Sequence, residues 1–421
     1  MSVLINDLYY GHTCECCGGF ENAARHGIKF SPEALAKGLE RIYRGLNVRD
    51  EIEDNIFRET LRLFLEAAAK GMAETKDFDL SDDFAQQIRT NTAVFSAFRT
   101  HRMQNDLAAQ LLDSEGRLKP FRQWVKDVQG MTNHYVRNWL NTEYNTAVIR
   151  AHAAADWQQY QKDSDIYPNL QWMPTTSPNQ DPLHRQYWES KLTLPVNHPF
   201  WDEHRPGDRW NCKCRLRQTD DPANDTVIKD FYPVPQQPGL DNNPGKDGKL
   251  FNDTHPYVAK AYKGAAEAVM RKTIQSELQE LVDNVKNVRT VNRMTDLIHL
   301  PKDVRTFLKS KGITPESKAL SVSDRRIGHA LRDTKKARGK AVSEQDLMQA
   351  LSNLNQCEVY YDESHKNLWY VWNTGTQLQK YVFGFDGNVK VDGELYKVNE
   401  MLTAGIIEAR DLKHKHLIKI R

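Results

Sequence analysis

The sequence predicts a mainly α-helical N-terminal region with a proline-rich Cys-x-Cys segment, followed by a separate α+β domain. Three observations carry this expectation. Residues 31–161 hold long runs of apolar residues at helical spacing, punctuated by capping residues. Prolines at 168, 174, 178, 182, 195, 199 and 206 then break the texture up to about residue 222. Beyond a second stretch rich in proline and glycine, the pattern passes from short helical segments to strand-like runs separated by turn residues.

Ser31-Pro32-Glu33 supplies a cap, a first-turn proline and a first-turn acid, and predicts a helix carrying Leu35, Leu39, Ile42 and Tyr43. A second helix is expected from about Val48 to Glu74, with Ile52, Ile56, Leu63 and Phe64 among its apolar positions. Ser81-Asp82-Asp83 caps a third, running toward Leu112 through Phe84, Ile88, Phe95 and Phe98. After Gly116 a long pattern runs from Phe121 to about Tyr160, interrupted at Gly130. Most of its aromatics, Trp124, Tyr135, Trp139, Tyr144 and Trp157, are expected in the core or at an interface rather than around a cofactor.

The segment 167–222 cannot hold long helices and needs another anchor, either packing on the helices or a metal. Residues 223–255, with Pro233, Pro235, Pro238, Gly239, Pro244, Gly245 and Gly248, read as a linker. A connecting helix is expected from Pro256 to about Val288, within a bridge spanning 256–295. The last unit, 296–421, begins with helical segments at 302–310, 323–334 and 343–354. Strands at 357–362, 368–372, 379–385, 389–391 and 395–398 follow, divided by turns such as Asp386-Gly387-Asn388. The expected domains are therefore 1–222, a linker 223–255, the helix 256–295 and the α+β unit 296–421.

Composition narrows the function classes. No run of about eighteen apolar residues is present, which argues against a membrane partner. The N-terminus lacks a basic segment followed by an apolar stretch, so synthesis in the cytosol is expected. The net charge of +2 is uneven. Residues 291–421 hold 22 Lys and Arg against 16 Asp and Glu, while the remainder holds 36 against 40. A mildly basic tail permits contact with a polyanion without requiring it.

Six cysteines fall in three groups: Cys14, Cys16 and Cys17; Cys212 and Cys214; and Cys357 alone. Tight clusters in a cytosolic chain suggest metal more readily than disulfides. Cys14 and Cys17, followed by Gly18-Gly19, form a knuckle-like pair, and Cys212 and Cys214 share one face of a strand. Together the pairs make a four-thiolate structural zinc site, in which Cys16, His12 or His184 is an alternative ligand. The plainer reading is that the pairs never meet and the thiols are ordinary.

One series of segments resembles a known signature. Asn141-Thr142-Glu143-Tyr144-Asn145-Thr146-Ala147 comes first, and then His184 in Asp181-Pro182-Leu183-His184-Arg185. Pro199-Phe200-Trp201 follows, and then Pro206-Gly207-Asp208-Arg209-Trp210-Asn211-Cys212-Lys213-Cys214-Arg215. Over about 120–220 this order is similar to that of Mu F-type phage head-morphogenesis proteins. It departs at Thr175-Thr176-Ser177-Pro178, where the family often has an Asp-x-Arg-Thr-type segment, and at Lys213, where Arg is commoner. The resemblance implies a minor head protein of a phage or prophage, acting at the portal vertex of the procapsid. Portal protein and other head proteins are the implied partners, with packaged DNA nearby. The implied location is the virion head, reached from the host bacterial cytoplasm during assembly.

Relatives of this type often carry a variable C-terminal domain, several of them resembling small toxin ribonucleases of the barnase, EndoU, colicin and RelE-like classes. Residues 296–421 look like that class in layout. On a single helix Arg325, His329, Arg332 and Lys336 fall within about a 60° arc at 100° per residue. Metal-free RNA cleavage needs a group to take the 2′-hydroxyl proton and cations to hold the phosphate. His329 suits the first role and Arg325 and Arg332 the second, with Thr374 and Tyr381 as further candidates. The alternative is a non-catalytic accessory or portal-binding module whose basic face is merely solvated.

Overall fold

The computed structural model of the chain describes residues 2–10, 28–75, 81–175, 182–210, 212–287, 293–391 and 394–421. It divides into two compact units, Met1–Val269 and Met270–Arg421. The fold class is the expected one, a helical N-terminal region and a sheet-containing C-terminal unit.

The first unit begins with α1 (Ser2–Tyr10), α2 (Pro32–Tyr43), α3 (Asp54–Ala73) and α4 (Asp82–Ala108). The caps act as the sequence implies: Ser31 accepts the Ala34 N–H and Ser81 accepts the Phe84 N–H. α3 starts six residues later than expected, because Glu53 takes the cap position and accepts the Ile56 N–H. The aromatic stretch splits into α5 (Phe121–Asp127), α6 (Gln129–Asn133), a π turn (His134–Asn138) and α7 (Trp139–Lys162). Its five aromatics are all buried, as a core role requires. α3 and α7 meet where Gly71 lies so close to Val148 that a Cβ would stand 2.2 Å from its carbonyl oxygen.

The proline-rich segment forms β1 (Asn169–Met173), α8 (Pro182–Glu189), β2 (Thr193–Pro195), α9 (Phe200–Glu203) and β3 (Arg215–Thr219). The strands pair antiparallel in the order β2-β1-β3, with Leu170 opposite Leu194 and Trp172 opposite Leu216. Leu170, Trp172, Tyr187, Leu194 and Trp201 make a small core of their own.

Residues 223–255 do not behave as a linker. Val234, Leu240, Leu250 and Phe251 are buried within the first unit, and Phe251 stacks on Phe95 at 4.2 Å. The fully buried Arg150 of α7 replaces regular structure as the organiser. It donates to the carbonyls of Gly207, Leu240, Asn242 and Leu250. α10 (Pro244–Asp247) and α11 (Pro256–Ala259) belong to this wrapped segment. The expected connecting helix is interrupted at 260–264 and resumes as α12 (Ala265–Lys286). Gly264 makes the break with φ +88°, packed too closely on the Arg49 carbonyl for a side chain.

The second unit contains β4 (Met294–His299), α13 (Lys302–Ser310), β5 (Ala319–Ser323), α14 (Asp324–Leu331), α15 (Asp333–Ala337) and α16 (Glu344–Ser352). Then come β6 (Glu358–Asp362), β7 (Asn367–Asn373), β8 (Leu378–Phe383), β9 (Gly387–Val391), β10 (Glu394–Ile407) and β11 (Leu417–Lys419). The sheet order is β11-β6-β7-β8-β10-β5-β4, with β9 pairing to β10. Only the β10–β5 contact is parallel among the described pairs. One face packs Tyr361, Leu368, Tyr370, Tyr381 and Phe383 into the main core of the unit, with Leu347 and Leu351 of α16. Tyr360, Trp369, Val371, Val382 and Ile407 form a smaller apolar cluster. Among the described residues no helix is long and apolar enough to cross a membrane.

Candidate metal centre

Extended backbone before β3 alternates its side chains, so Cys212 and Cys214 are buried while Lys213 between them is exposed. α8 brings His184 to the same place, fully buried and edge-on to the Trp172 ring at 5.1 Å. His184 Nδ1 lies 3.5 Å from Cys212 Sγ and 3.8 Å from Cys214 Sγ. The three ligand atoms fall within 4.8 Å of one another. Tetrahedral zinc with Zn–N near 2.0–2.1 Å and Zn–S near 2.3 Å places N and S about 3.6 Å apart. The observed separations match those edges, so the residues fit such an ion.

The other side of the imidazole supports the same reading. His184 Nε2 lies 3.0 Å from Asp208 Oδ1, both groups fully buried. A histidine ligating through one nitrogen commonly holds a carboxylate with the other, which fixes its orientation and raises its basicity. Neither atom completes a linear hydrogen bond here, so the contact is one of charge and proximity. Asp208 is placed by the turn after α9, where it accepts from the Arg205 N–H and approaches His204.

Electrostatics follow from the geometry. Burial alone would lower the His184 pKa, but Asp208 and then Cys212 outweigh it and push it well above the ordinary value. Burial opposes ionisation of Asp208, yet His184 holds that carboxyl well below the usual range. The hydrogen bond with Cys214, then burial, push the Cys212 thiol well up. A divalent cation reverses the preference of such a thiol, because the thiolate is the ligand, and binding then releases protons.

Of the expected zinc ligands, Cys212 and Cys214 thus meet, with His184 in the place of a thiolate. Cys14, Cys16, Cys17 and His12 lie outside the described residues. Asp208 was not marked by any spacing rule. Its signal was its place in the Pro206–Arg215 segment, which carries no chemistry until the chain is folded.

Glu143, in the helix segment of the signature, has an architectural position. Fully buried, it accepts from Tyr9 Oη (2.8 Å), Tyr257 Oη (2.8 Å) and Arg99 Nε (2.6 Å). It thereby joins α1, α4, α7 and α11. Burial alone would lower the Arg99 pKa; Glu143 reverses this and keeps the guanidinium charged.

The tail candidates are arranged differently from the expectation. Arg325 and His329 remain four apart on α14, but the helix ends at Leu331. Arg332 is extended at ψ 149°, and Lys336 belongs to α15, so the single cationic stripe is broken. His329 is partly buried, and desolvation, followed by Arg332, Lys335 and Arg326, lowers its pKa. Tyr381 is fully buried and donates to Gln379 Oε1 at 2.8 Å, a core position that a dissolved RNA backbone does not reach. The Thr374 hydroxyl accepts the Gln377 N–H and closes a turn.

No family model matches the chain. Over 78 residues it is 30% identical to the putative capsid assembly protein F of Escherichia phage Mu. The match covers 18% of this chain and spans only 17% of that relative's length. No solved structure matches.

Proposed function

We propose that this chain acts in phage head assembly, as a minor protein bound at the portal vertex of the procapsid. The similarity to a putative capsid assembly protein of phage Mu carries the reading. The convergence of His184, Cys212 and Cys214 from separated segments of the signature supports it. In this role the metal is zinc and structural. It clamps α8 to the strand entering β3, in a segment whose prolines allow little regular hydrogen bonding. A fourth ligand is expected from His12, Cys14, Cys16 or Cys17. Near its end α1 places the Tyr9 ring 4.6 Å from Trp210, two residues before Cys212 in sequence. Cys14 is five residues beyond Tyr9, a reach of up to about 18 Å for extended chain.

Co-purification of the full chain with the portal protein of the same phage or prophage tests the role. A stable complex is expected; a folded chain that never associates with portal or procapsid contradicts it. The ribonuclease expectation for 296–421 has its own test, growth arrest on expression in a bacterial cell, relieved by His329→Ala.

A further inference from the structure

Cations without acidic partners converge on one face of the second unit's sheet. Lys335 of α15 is partly buried and directs its ammonium to neutral acceptors, Thr403 Oγ1 and the Ala404 carbonyl, both at 2.7 Å. Thr403 pairs with Val382 across β10 and β8, and Gly405 pairs with Lys380 in the next row. Paired residues share a face, so Lys335 and Lys380 are neighbours with no side chain at Gly405 between them. The Lys380 ammonium stands 3.4 Å from the centre of the Trp369 ring, on the strand beyond. Lys340 lies along the same row, its carbonyl accepting the Ile406 N–H at 3.1 Å. Arg332, exposed at the break between α14 and α15, adds a fourth charge.

Among the described residues, none of these four side chains forms an ion pair. Glu400, the nearby acid on β10, is taken by Arg326 and Ser323. Asp411 and Asp362 act on Lys380 from beyond contact distance. Burial, then Arg332 and Lys380, lower the pKa of Lys335, the signature of like charges held together. Such a group is stabilised by an anion with several oxygens.

We propose that Arg332, Lys335, Lys340 and Lys380, grouped around Gly405, form a binding site for phosphate groups, with a nucleic-acid backbone as their source. This site is independent of the head-assembly role and shares Arg332 with the candidates around His329. The probe is a fluorescein-labelled single-stranded 12-nucleotide, titrated with the full chain by anisotropy at several salt concentrations. Four contacts on a single strand give a slope of log K on log salt near −2.8, so affinity falls roughly 50-fold between 50 and 200 mM salt. Arg332→Ala/Lys340→Ala removes two exposed side chains that support no packing, and its loss over the same range should shrink to roughly 7-fold. Inorganic phosphate is the second arm. If the oligonucleotide does not bind but phosphate raises the melting temperature of the wild type and not of the double variant, the site stands with a small anion as its source. An unchanged slope and affinity in the double variant, or no response to either probe, overturns the proposal.

Discussion

Glu143→Gln should destabilise the first unit by about 3–5 kcal/mol, because it removes one charge from a fully desolvated pair. In the wild type both Arg99 and Glu143 have no exposed surface, and Nε to Oε2 is 2.6 Å. The amide keeps the shape of the side chain but not its charge. Arg99 then retains only the Tyr135 carbonyl as a strong acceptor. The two tyrosine hydroxyls, both directed at Glu143 Oε1, must share an amide that also presents donors. Urea unfolding followed by tryptophan fluorescence reads the effect, since seven of the nine tryptophans belong to the first unit. With m near 1–3 kcal/mol/M, the midpoint should fall by at least about 1 M. Arg99→Met should cost a similar amount, and Arg99→Met/Glu143→Leu should recover much of the loss, since neither charge is left alone. Single variants costing under about 1 kcal/mol, or strictly additive losses in the double variant, would refute the reasoning.

The pH dependence of the same unit should carry the mark of His255. Its Nδ1 accepts the Tyr257 N–H and its Nε2 faces Tyr9 Oη, so the ring is held neutral, and burial followed by Arg99 brings its pKa down to about 3. The unfolded chain binds this proton near pH 6.5 and the folded chain does not, so stability is full above about 6.5 and falls toward pH 3. Between pH 7.5 and 5 the wild type should lose about 2 kcal/mol more than His255→Gln, measured from urea midpoints; equal losses would contradict the assignment. A chain ending at residue 225 should fail to fold where one ending at 269 succeeds, judged by limited proteolysis. The shorter chain loses Leu240, Leu250, Phe251 and Tyr257, roughly 6–12 kcal/mol of burial, together with most acceptors of Arg150. Asp208→Asn should weaken metal binding about 10–100-fold in competition with a chelator, with the fold retained; an unchanged affinity would remove Asp208 from the site.

These elements differ in how far the sequence disclosed them. The helices opened by Ser31 and Ser81 were legible because a capping hydroxyl, joined after Ser31 by a first-turn proline, acts locally. The strands of the last unit from 358 to 383 were legible from alternation and turn residues. β4, β5 and β11 were not, since each is short and takes its register from distant partners, β5 lying parallel to β10. Residues 223–255 misled because prolines and glycines report the lack of regular structure, not the lack of burial. The long-range donor that satisfies their carbonyls, Arg150, sits some ninety residues earlier. At the candidate site the Cys212–Cys214 spacing announced two candidate ligands, and His184 was visible only as an alternative. Asp208 and the Arg99–Glu143 pair depend on tertiary approach and leave no periodic trace. The tail stripe failed at a single residue, Arg332, whose extended ψ ends the helix on which the arc was drawn.

Zinc content and coordination in the purified full chain test the central claim most directly. Elemental analysis should find close to one zinc per chain, and X-ray absorption should show sulfur at about 2.3 Å with at least one nitrogen at about 2.0–2.1 Å. His184→Ala and Cys214→Ser should each lose the metal and lower the thermal midpoint, as chelation should in the wild type. A metal-free chain that melts identically with and without chelator, and identically to Cys214→Ser, would contradict the account.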